Sequence, residues 1–353
     1  MPIKRVEIPK ANGETRALGI PCITDRIVQM AAKIVLEPIF EADFSPHSYG
    51  FRPKRSAHQA MDDIKGGLLL GHVHVIDADL SKYFDTIPHD KLLKAVAERV
   101  VDSEMLSLLK QWLKVRIIKV DNGIERVVGG GKKARLGTPQ GGVASPLLAN
   151  IYLNILDRIW DRHQLAEKYQ ARLVRYADDL VILCRDDTTT PYAILCNILS
   201  KLDLKLNVEK TRIRDCRRDR FEFLGFSVGM VKAEQSGKFF PLVEPSDKAM
   251  RQLKDRIKLY TRRDMTPVPI ETIVSLLNRS SRGWSNYFHY GHGHRKMKKI
   301  KYYLEEHLRS HLRHRHKVVN HGAAYHRFPR RYIYDYLGLY KVPVSPAWKG
   351  VHA

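Results

Sequence analysis

Two stretches near the middle of the chain have patterns that predict β-strands: hydrophobic and polar positions alternate in the first, and the second is an apolar run around two adjacent aspartates. The first stretch is V-H-V-I-D-A-D-L at residues 73–80, and the second is R-L-V-R-Y-A-D-D-L-V-I-L-C at residues 172–184. Helical patterns lie between them, so this part of the chain has the alternation of an α+β or α/β layer.

The flanking segments follow other patterns. V-E-I-P-K at residues 6–10 predicts a strand, and a helix follows from apolar residues three or four apart, namely Ile27, Met30, Ala31, Ile34 and Val35. From residue 246 onward basic helices are predicted, with an apolar stripe of Met297, Ile300, Leu304, Leu308 and Leu312. We therefore predict three parts, residues 1–71, 72–239 and 240–353, and the middle one is the candidate catalytic domain.

The net charge of the chain indicates which kind of partner it binds. Its 61 Lys and Arg residues outnumber 38 Asp and Glu residues, which gives a formal net charge of +23. A surplus of this size is typical of a surface that binds polyphosphate, so nucleic acid is the expected partner. A ribosome-associated protein or a protein of anionic membrane surfaces is the alternative.

Location and cofactor class follow from what the sequence lacks. It has no run of about 18 apolar residues and no signal peptide, which predicts a cytosolic protein without a membrane partner. The cysteines show no C-x-x-C spacing, so neither disulfides nor zinc are expected at Cys22, Cys184, Cys196 and Cys216.

Carboxylates end both predicted strands. Asp77 and Asp79 share one strand face, and Asp178 and Asp179 fall in a predicted hairpin turn. Converging carboxylates repel one another unless a cation neutralises them, and hard oxygen ligands without His or Cys favour Mg²⁺, or Mn²⁺ in its place. Two such ions are suited to phosphoryl transfer. A solvated turn or a helix cap is the simpler reading of two adjacent aspartates.

A glycine-rich segment, G-T-P-Q-G-G-V-A-S-P, separates the two acidic sites and leads into an apolar helix. Gly137, Gly141 and Gly142 permit close backbone approach, and the Gln140 amide can face a base or sugar. The segment is interpreted as a template or nucleotide platform, with an ordinary loop and helix cap as the alternative.

Taken together, the motifs resemble those of bacterial group II intron reverse transcriptases that also act as maturases. The matching motifs occur in order along nearly the whole chain: R-A-L-G-I-P (16–21), F-S-P-H-S-Y-G-F-R-P (44–53), D-A-D-L-S-K-Y-F-D (77–85), G-T-P-Q-G-G (137–142), R-Y-A-D-D (175–179), L-N-V-E-K-T (206–211), F-L-G-F (223–226) and R-G-W-S-N-Y-F (282–288). The resemblance implies an α+β right-hand polymerase with a palm and partial fingers, followed by a helical thumb and maturase domain.

The resemblance also implies the roles of single residues. Asp79, Asp178 and Asp179 would be the catalytic triad and would hold two Mg²⁺ ions, together with Leu80; spacing alone does not choose between Asp77 and Asp79. The residues implied to bind the nucleotide are Lys10, Arg16, Phe84, Gln140 and Lys210. Phe84 would exclude the 2′-hydroxyl or else be ordinary core, Tyr83 is expected to face the other way in a strand and pack, and Lys210 is equally a solvated lysine.

The resemblance also implies which residues contact the primer, the template and RNA. Tyr176, Gly141, Phe223, Leu224 and Gly225 would contact the primer or template. The residues implied to bind RNA are Arg282, Trp284, Tyr287, Arg295, Lys298 and Lys299, although the aromatic ones are equally placed to pack between helices. The expected partners are an RNA template, intron RNA, a DNA primer or target, and dNTPs.

The chain departs from the family pattern at both ends. The family usually carries a longer finger region before R-V-E-I-P-K, so weaker template grip is expected here, and without an H-N-H nuclease signature no second-strand DNA cleavage is expected. The expected function is RNA-directed DNA synthesis together with assistance to splicing and retrohoming. A splicing cofactor that does not polymerise and a basic RNA scaffold are the alternatives.

Overall fold

A computed structural model describes residues 1–9, 15–121, 123–234 and 236–346. The chain divides into two compact units, Met1–Asp215 and Cys216–Ala353. The predicted α+β class is confirmed, because largely antiparallel sheets, with one parallel pair, and separate helices make up the first unit and helices dominate the second. The finer division into residues 1–71, 72–239 and 240–353 stays a prediction.

The first unit contains eight strands and eight helices within its described residues. Its strands are β1 (Ile3–Pro9), β2 (Thr15–Ile20), β3 (His74–Asp79), β4 (Ile117–Asp121), β5 (Ile124–Gly129), β6 (Ala171–Tyr176), β7 (Asp179–Cys184) and β8 (Arg212–Asp215). Its helices are α1 (Ile23–Glu41), α2 (Ala57–Leu69), α3 (Tyr83–Thr86), α4 (His89–Ala97), α5 (Ser103–Leu113), α6 (Ser145–Arg162), α7 (Leu165–Lys168) and α8 (Thr189–Lys201).

An antiparallel sheet with strand order β6-β7-β3-β8 forms the centre of this unit. The alternation that predicted β3 sorts its side chains as expected. Ile76 and Ala78 join a buried cluster with α4, α5, α6 and α8. Val75 is equally buried but lies outside that cluster, on the face that it shares with Asp77 and Asp79. The sheet therefore brings the ends of β3 and of the β6–β7 hairpin to one edge.

A second sheet, of order β2-β1-β4-β5, contains the strand predicted near the N-terminus. The helix predicted after it is confirmed as α1, although the apolar residues that indicated it do not form its buried face. Its buried residues are Gln29, Ala32, Leu36 and Phe40, whereas Ile27, Met30, Ala31, Ile34 and Val35 are all exposed. Apolar residues cover much of this helix, so periodicity does not identify the stripe that meets the core. The Gln29 amide oxygen, which accepts a hydrogen bond from the Val143 N–H at 2.8 Å, lies on the buried side.

The second unit pairs a small sheet of order β11-β10-β9 with basic helices. Its elements are β9 (Phe221–Phe223), β10 (Phe226–Lys232), β11 (Phe239–Pro245), α9 (Asp247–Thr261), α10 (Ile270–Phe288), α11 (His294–Arg315) and α12 (His321–Arg327), with a 3₁₀ turn at Arg263–Met265 and a π-helical turn at Tyr332–Tyr336. The predicted stripe on α11 is confirmed, because all five of its apolar residues are buried. None of the described helices is long and apolar enough to cross a membrane.

Candidate active site

The predicted hairpin is formed by β6 and β7, which are joined by the two residues Ala177 and Asp178. Ala177 has a φ of 58°, a left-handed conformation that a residue with a Cβ seldom adopts. Asp179 begins β7 directly opposite Asp79 at the end of β3. The structure therefore brings the three predicted catalytic aspartates to one edge of the sheet.

Asp79 is further held by the segment that precedes β8. Its carbonyl oxygen accepts a hydrogen bond from the Asn207 N–H at 2.8 Å. The Lys210 Nζ lies 3.4 Å from Asp79 Oδ2, although the lysine side chain is 66% exposed. Lys210 is thus an ion-pair partner at the site, and its exposure makes the pair weak in energy.

Electrostatic crowding raises the pKa of two carboxyl groups at this edge. Desolvation and the negative charges of Asp178, Asp79 and Asp77 raise the pKa of Asp179 to about 7, while Lys210 opposes the shift. The Asp179 side chain is nevertheless exposed to water, which screens these charges. Burial raises the pKa of Asp77 to about 6, against the influence of Arg214. Such a site favours a bound cation.

The donor atoms suit a hard divalent ion, since the nearby ligands are carboxylate oxygens. Among the described residues, however, no three His, Cys, Asp or Glu side chains form a ready-made metal cluster. Asp79 is instead paired with Lys210 through its Oδ2. The residues fit such an ion in the chemistry of their donor atoms.

Leu80 forms an isolated antiparallel bridge with Leu206. The two hydrogen bonds of this bridge are made by neighbouring residues, Asn207 N–H to the Asp79 carbonyl and Ser81 N–H to the Lys205 carbonyl. In that pattern the carbonyl of Leu80 itself points away from Leu206. It is therefore directed to the side of β3 on which β7 and Asp178 lie.

Phe84 and Tyr83 lie in the one-turn helix α3, not in a strand as predicted for Tyr83. The left-handed Lys82, with a φ of 47°, ends the extended course of the chain before them. Tyr83 packs as expected and donates a hydrogen bond to the Ala149 carbonyl at 2.5 Å. Phe84 is 8% exposed and belongs to the main core cluster, so a packing role is established for it.

The glycine-rich loop approaches other backbone closely. The Gly19 N–H donates to the Gln140 carbonyl at 2.6 Å, and Gly141 has a φ of 106°. A Cβ at Gly141 would lie 2.5 Å from the Gly19 carbonyl oxygen. Gln140 and the neighbouring Pro139 also line a cavity of about 150 Å³. The predicted close approach is confirmed, but its observed partner is strand β2.

Lys10 and Arg16 are the predicted ligands of the triphosphate. Lys10 lies outside the described residues. The backbone of Arg16 pairs with that of Ile8 in the β1–β2 ladder. Their predicted roles stay predictions.

In the second unit, Leu224 and Gly225 form the tight turn between β9 and β10, with φ values of 50° and 79°. Tyr287 donates a hydrogen bond to the Leu224 carbonyl at 2.9 Å, and Trp284 donates to the Ala249 carbonyl at 3.3 Å. Both rings therefore have packing roles. The predicted RNA-contacting cations are exposed, and they are Arg282, Arg295, Lys298 and Lys299.

Sequence reasoning missed three polar residues beneath the hairpin. Arg175, Asn150 and Asp157 are all buried, and Arg175 donates hydrogen bonds to both of the others. A signal was present in the sequence, because an arginine inside an apolar strand requires a buried partner. Asn150 and Asp157 lie seven residues apart on an apolar helix, which places them on one face.

Comparison with known proteins identifies the family. Residues 8–228 match the family model "Reverse transcriptase (RNA-dependent DNA polymerase)", and residues 250–332 match "Group II intron, maturase-specific domain". Protein YkfC of Escherichia coli is 38% identical over 260 residues, which cover 64% of this chain and 66% of the relative. The group II intron-encoded protein LtrA of Lactococcus lactis is 28% identical over 371 residues, covering 81% and 60%.

A telomerase from Candida tropicalis, solved in complex with a fragment of telomeric RNA, matches in fold with a TM-score of 0.52 and 13% identity. The match covers 95% of this chain and 63% of the telomerase, and it supports the fold alone. The chain spans 60–66% of the length of the two relatives named above. With family models matching both its parts, the chain belongs to the reverse transcriptase (RNA-dependent DNA polymerase) family, among the group II intron-encoded proteins that carry a maturase-specific domain.

Proposed function

We propose that the chain is an RNA-directed DNA polymerase of a group II intron, extending a DNA or RNA primer on an RNA template. We also propose that it binds intron RNA and assists splicing and retrohoming. The observation that carries the polymerase proposal is the register that sets Asp179 opposite Asp79 with Asp178 in the adjoining turn.

In this proposal Asp79, Asp178 and Asp179 hold two divalent ions, with the carbonyl of Leu80 as a further oxygen ligand. The family generally uses divalent metals such as Mg²⁺. When bound, such ions neutralise charge on the attacking and leaving oxygens of an in-line phosphoryl displacement. The carboxylates fix where that charge is neutralised, and Lys210 is placed beside Asp79 to supply positive charge or a proton.

Recognition of the incoming nucleotide is assigned to residues around α3 and the glycine-rich loop. Phe84 would limit space at the sugar, so that dNTPs are accepted and ribonucleotides clash. Gln140 would face the base or sugar, and Lys10 and Arg16 would contact the triphosphate. Tyr176, Gly141 and residues 223–225 would contact the primer or template.

The family binds RNA, and the second unit provides a basic surface for it. Arg295, Lys298 and Lys299 are exposed on α11, whose buried stripe leaves them directed to solvent. Contacts between such cations and phosphates provide affinity with little sequence information. Arg282 is also exposed, with its guanidinium carbon 5.3 Å from the centre of the Tyr340 ring.

The polymerase proposal is tested by primer extension on an RNA template, comparing the parent chain with Asp178→Ala. Asp186→Ala is the matched control, because Asp186 is an exposed aspartate just beyond the other end of β7. We expect Asp178→Ala to abolish extension while RNA binding persists and Asp186→Ala to behave like the parent. Unchanged extension by Asp178→Ala would refute the assignment of the site. A parent that binds intron RNA and promotes splicing, but never extends a primer, would support the non-polymerising cofactor.

A further inference from the structure

A fully buried guanidinium lies directly beneath the acidic turn. Arg175, in β6, is 1% exposed and two residues before Ala177. Its Nε lies 3.0 Å from both carboxylate oxygens of Asp157, and its Nη2 also donates to Asp157. Its remaining terminal nitrogen, Nη1, donates to the Asn150 side-chain oxygen at 3.1 Å and to the Ala177 carbonyl at 3.0 Å. One side chain thus joins helix α6 to the turn.

The two residues of α6 that accept hydrogen bonds from Arg175 are buried, and Asn150 also donates a hydrogen bond. Asn150 is 1% and Asp157 3% exposed. The Asn150 amide nitrogen donates to the Gly50 carbonyl at 2.7 Å. The buried charge of Arg175 is paired and its hydrogen-bonding groups are engaged, which is the condition under which a buried ion pair defines geometry.

Residues 47–50 also support the hairpin turn, through backbone hydrogen bonds and close packing. The Tyr49 N–H donates to the Arg175 carbonyl at 2.9 Å, and the Arg175 N–H donates to the His47 carbonyl at 2.9 Å. A Cβ at Gly50 would lie 2.3 Å from the Ala177 nitrogen, so the segment presses against the turn itself. The turn is therefore enclosed on the side away from solvent by Gly50, Asn150 and Arg175.

We propose that Arg175, supported by Asn150 and Asp157, is a positioning residue that fixes the Ala177–Asp178 turn and keeps Asp178 and Asp179 in register with Asp79. The inference rests on the proposed polymerase function. A left-handed alanine persists only where its surroundings determine its conformation, and the hydrogen bond to its carbonyl does so here. A lysine has the charge but not the planar fork that reaches three acceptors at once.

The experiment compares Asn150→Ala with Asn154→Ala in the full chain. Asn154 is a buried asparagine on the same helix, 5% exposed, whose amide donates to the Asp43 carbonyl at 3.3 Å instead of supporting the turn. Arg175→Lys is the second test variant. The readouts are amide hydrogen exchange in residues 176–180, Tm, and the kcat and KM of primer extension.

We expect Asn150→Ala and Arg175→Lys to accelerate exchange in residues 176–180 and to lower kcat by about 10²-fold, since small displacements of reacting groups have effects of that size. The KM for primer and template should change by less than about twofold. Asn154→Ala should lower Tm without either local effect.

Equal effects of Asn150→Ala and Asn154→Ala on exchange and on kcat would overturn the inference. So would a hairpin that exchanges at the parent rate in Arg175→Lys. If the parent chain extends no primer, the polymerase proposal fails, while the exchange comparison still decides whether Arg175 and Asn150 fix the turn. The two failures are therefore distinguishable.

Discussion

Asp79 and Asp179 are directly opposed partners in the antiparallel register of β3 and β7. Like charges in opposed positions of a sheet are destabilising, and the adjoining Asp178 adds to the repulsion. A fold that keeps three carboxylates together in this way has a local electrostatic penalty that a bound cation removes.

Asp79 rather than Asp77 should carry the chemistry, a choice that strand spacing leaves open. We expect Asp79→Asn to lower the rate of primer extension by about 10³-fold or more, because the contribution of a metal site is several kcal/mol. Asp77→Asn, on the same strand face, should lower it by less than about tenfold. Single-turnover primer extension at saturating Mg²⁺ measures both, and the reverse order would move the site to Asp77.

Stability of the metal-free protein should depend on pH through Asp179. Its pKa is raised to about 7 in the folded state, so its favourable contribution is present at low pH and is lost as pH rises through about 7. Asp179→Asn should therefore raise Tm in EDTA more at about pH 8 than at about pH 5.5. Saturating Mg²⁺ should stabilise the parent more than the variant at the higher pH. A Tm difference that does not vary with pH would contradict the assigned shift.

Gly50 should not accept a side chain. A Cβ there would lie 2.3 Å from the Ala177 nitrogen, so Gly50→Ala should lower the free energy of unfolding by about 2 kcal/mol or more. Gly66→Ala is the matched control, because Gly66 lies within α2 and an added Cβ would have no atom within 4 Å beyond its chain neighbours and the backbone of its own helix. That change should stabilise the protein by roughly 0.5–1 kcal/mol. Urea unfolding of the two variants measures both effects, and equal values would contradict the close packing.

Loss of charge at Asp157 should be far more damaging than loss at a surface pair. Asp157→Asn leaves Arg175 buried without its counter-ion and should lower the free energy of unfolding by about 3–5 kcal/mol. Glu98 pairs with Arg158 at 2.5 Å with both side chains more than half exposed, so Glu98→Gln should change stability by less than about 1 kcal/mol. Denaturant titration distinguishes the two, and a small effect of Asp157→Asn would show that the pair is dispensable.

RNA affinity should depend on salt through the exposed face of α11. If Lys298 and Lys299 each contact a phosphate, replacing both with Ala should reduce the slope of log affinity against log salt by about 2. Lys168→Ala, at an exposed lysine of the first unit, should leave the slope unchanged. Filter binding of a structured RNA over a salt series provides the slopes. An unaltered slope in the double variant would place the RNA elsewhere.

Local sequence patterns were sufficient to predict several strands and helices and the family of this protein. The period of two predicted β3, and the apolar run around two aspartates predicted the β6–β7 hairpin. The three-to-four spacing predicted the buried stripe of α11. The motifs indicated the family that comparison confirms. These predictions succeed because the side chains on one face of a strand or helix recur at a fixed spacing in the sequence.

Other features of the fold depended on which surfaces pack against each other in the tertiary structure. The apolar residues that indicated α1 are exposed, and Tyr83 lies in a helical turn begun by the left-handed Lys82. Periodicity identifies an apolar stripe without identifying the surface that covers it, and a backbone reversal at a lysine has no propensity signal.

By itself the sequence determined that carboxylates end two strands and that basic helices follow them. Only the tertiary structure decided that Asp179 stands opposite Asp79, and that Arg175 reaches Asp157 and Asn150 on a helix that precedes it in the chain. The physical reason is that strand register and buried ion pairing depend on the packing of α6 and residues 47–50 against the hairpin, and those contacts join segments far apart in sequence.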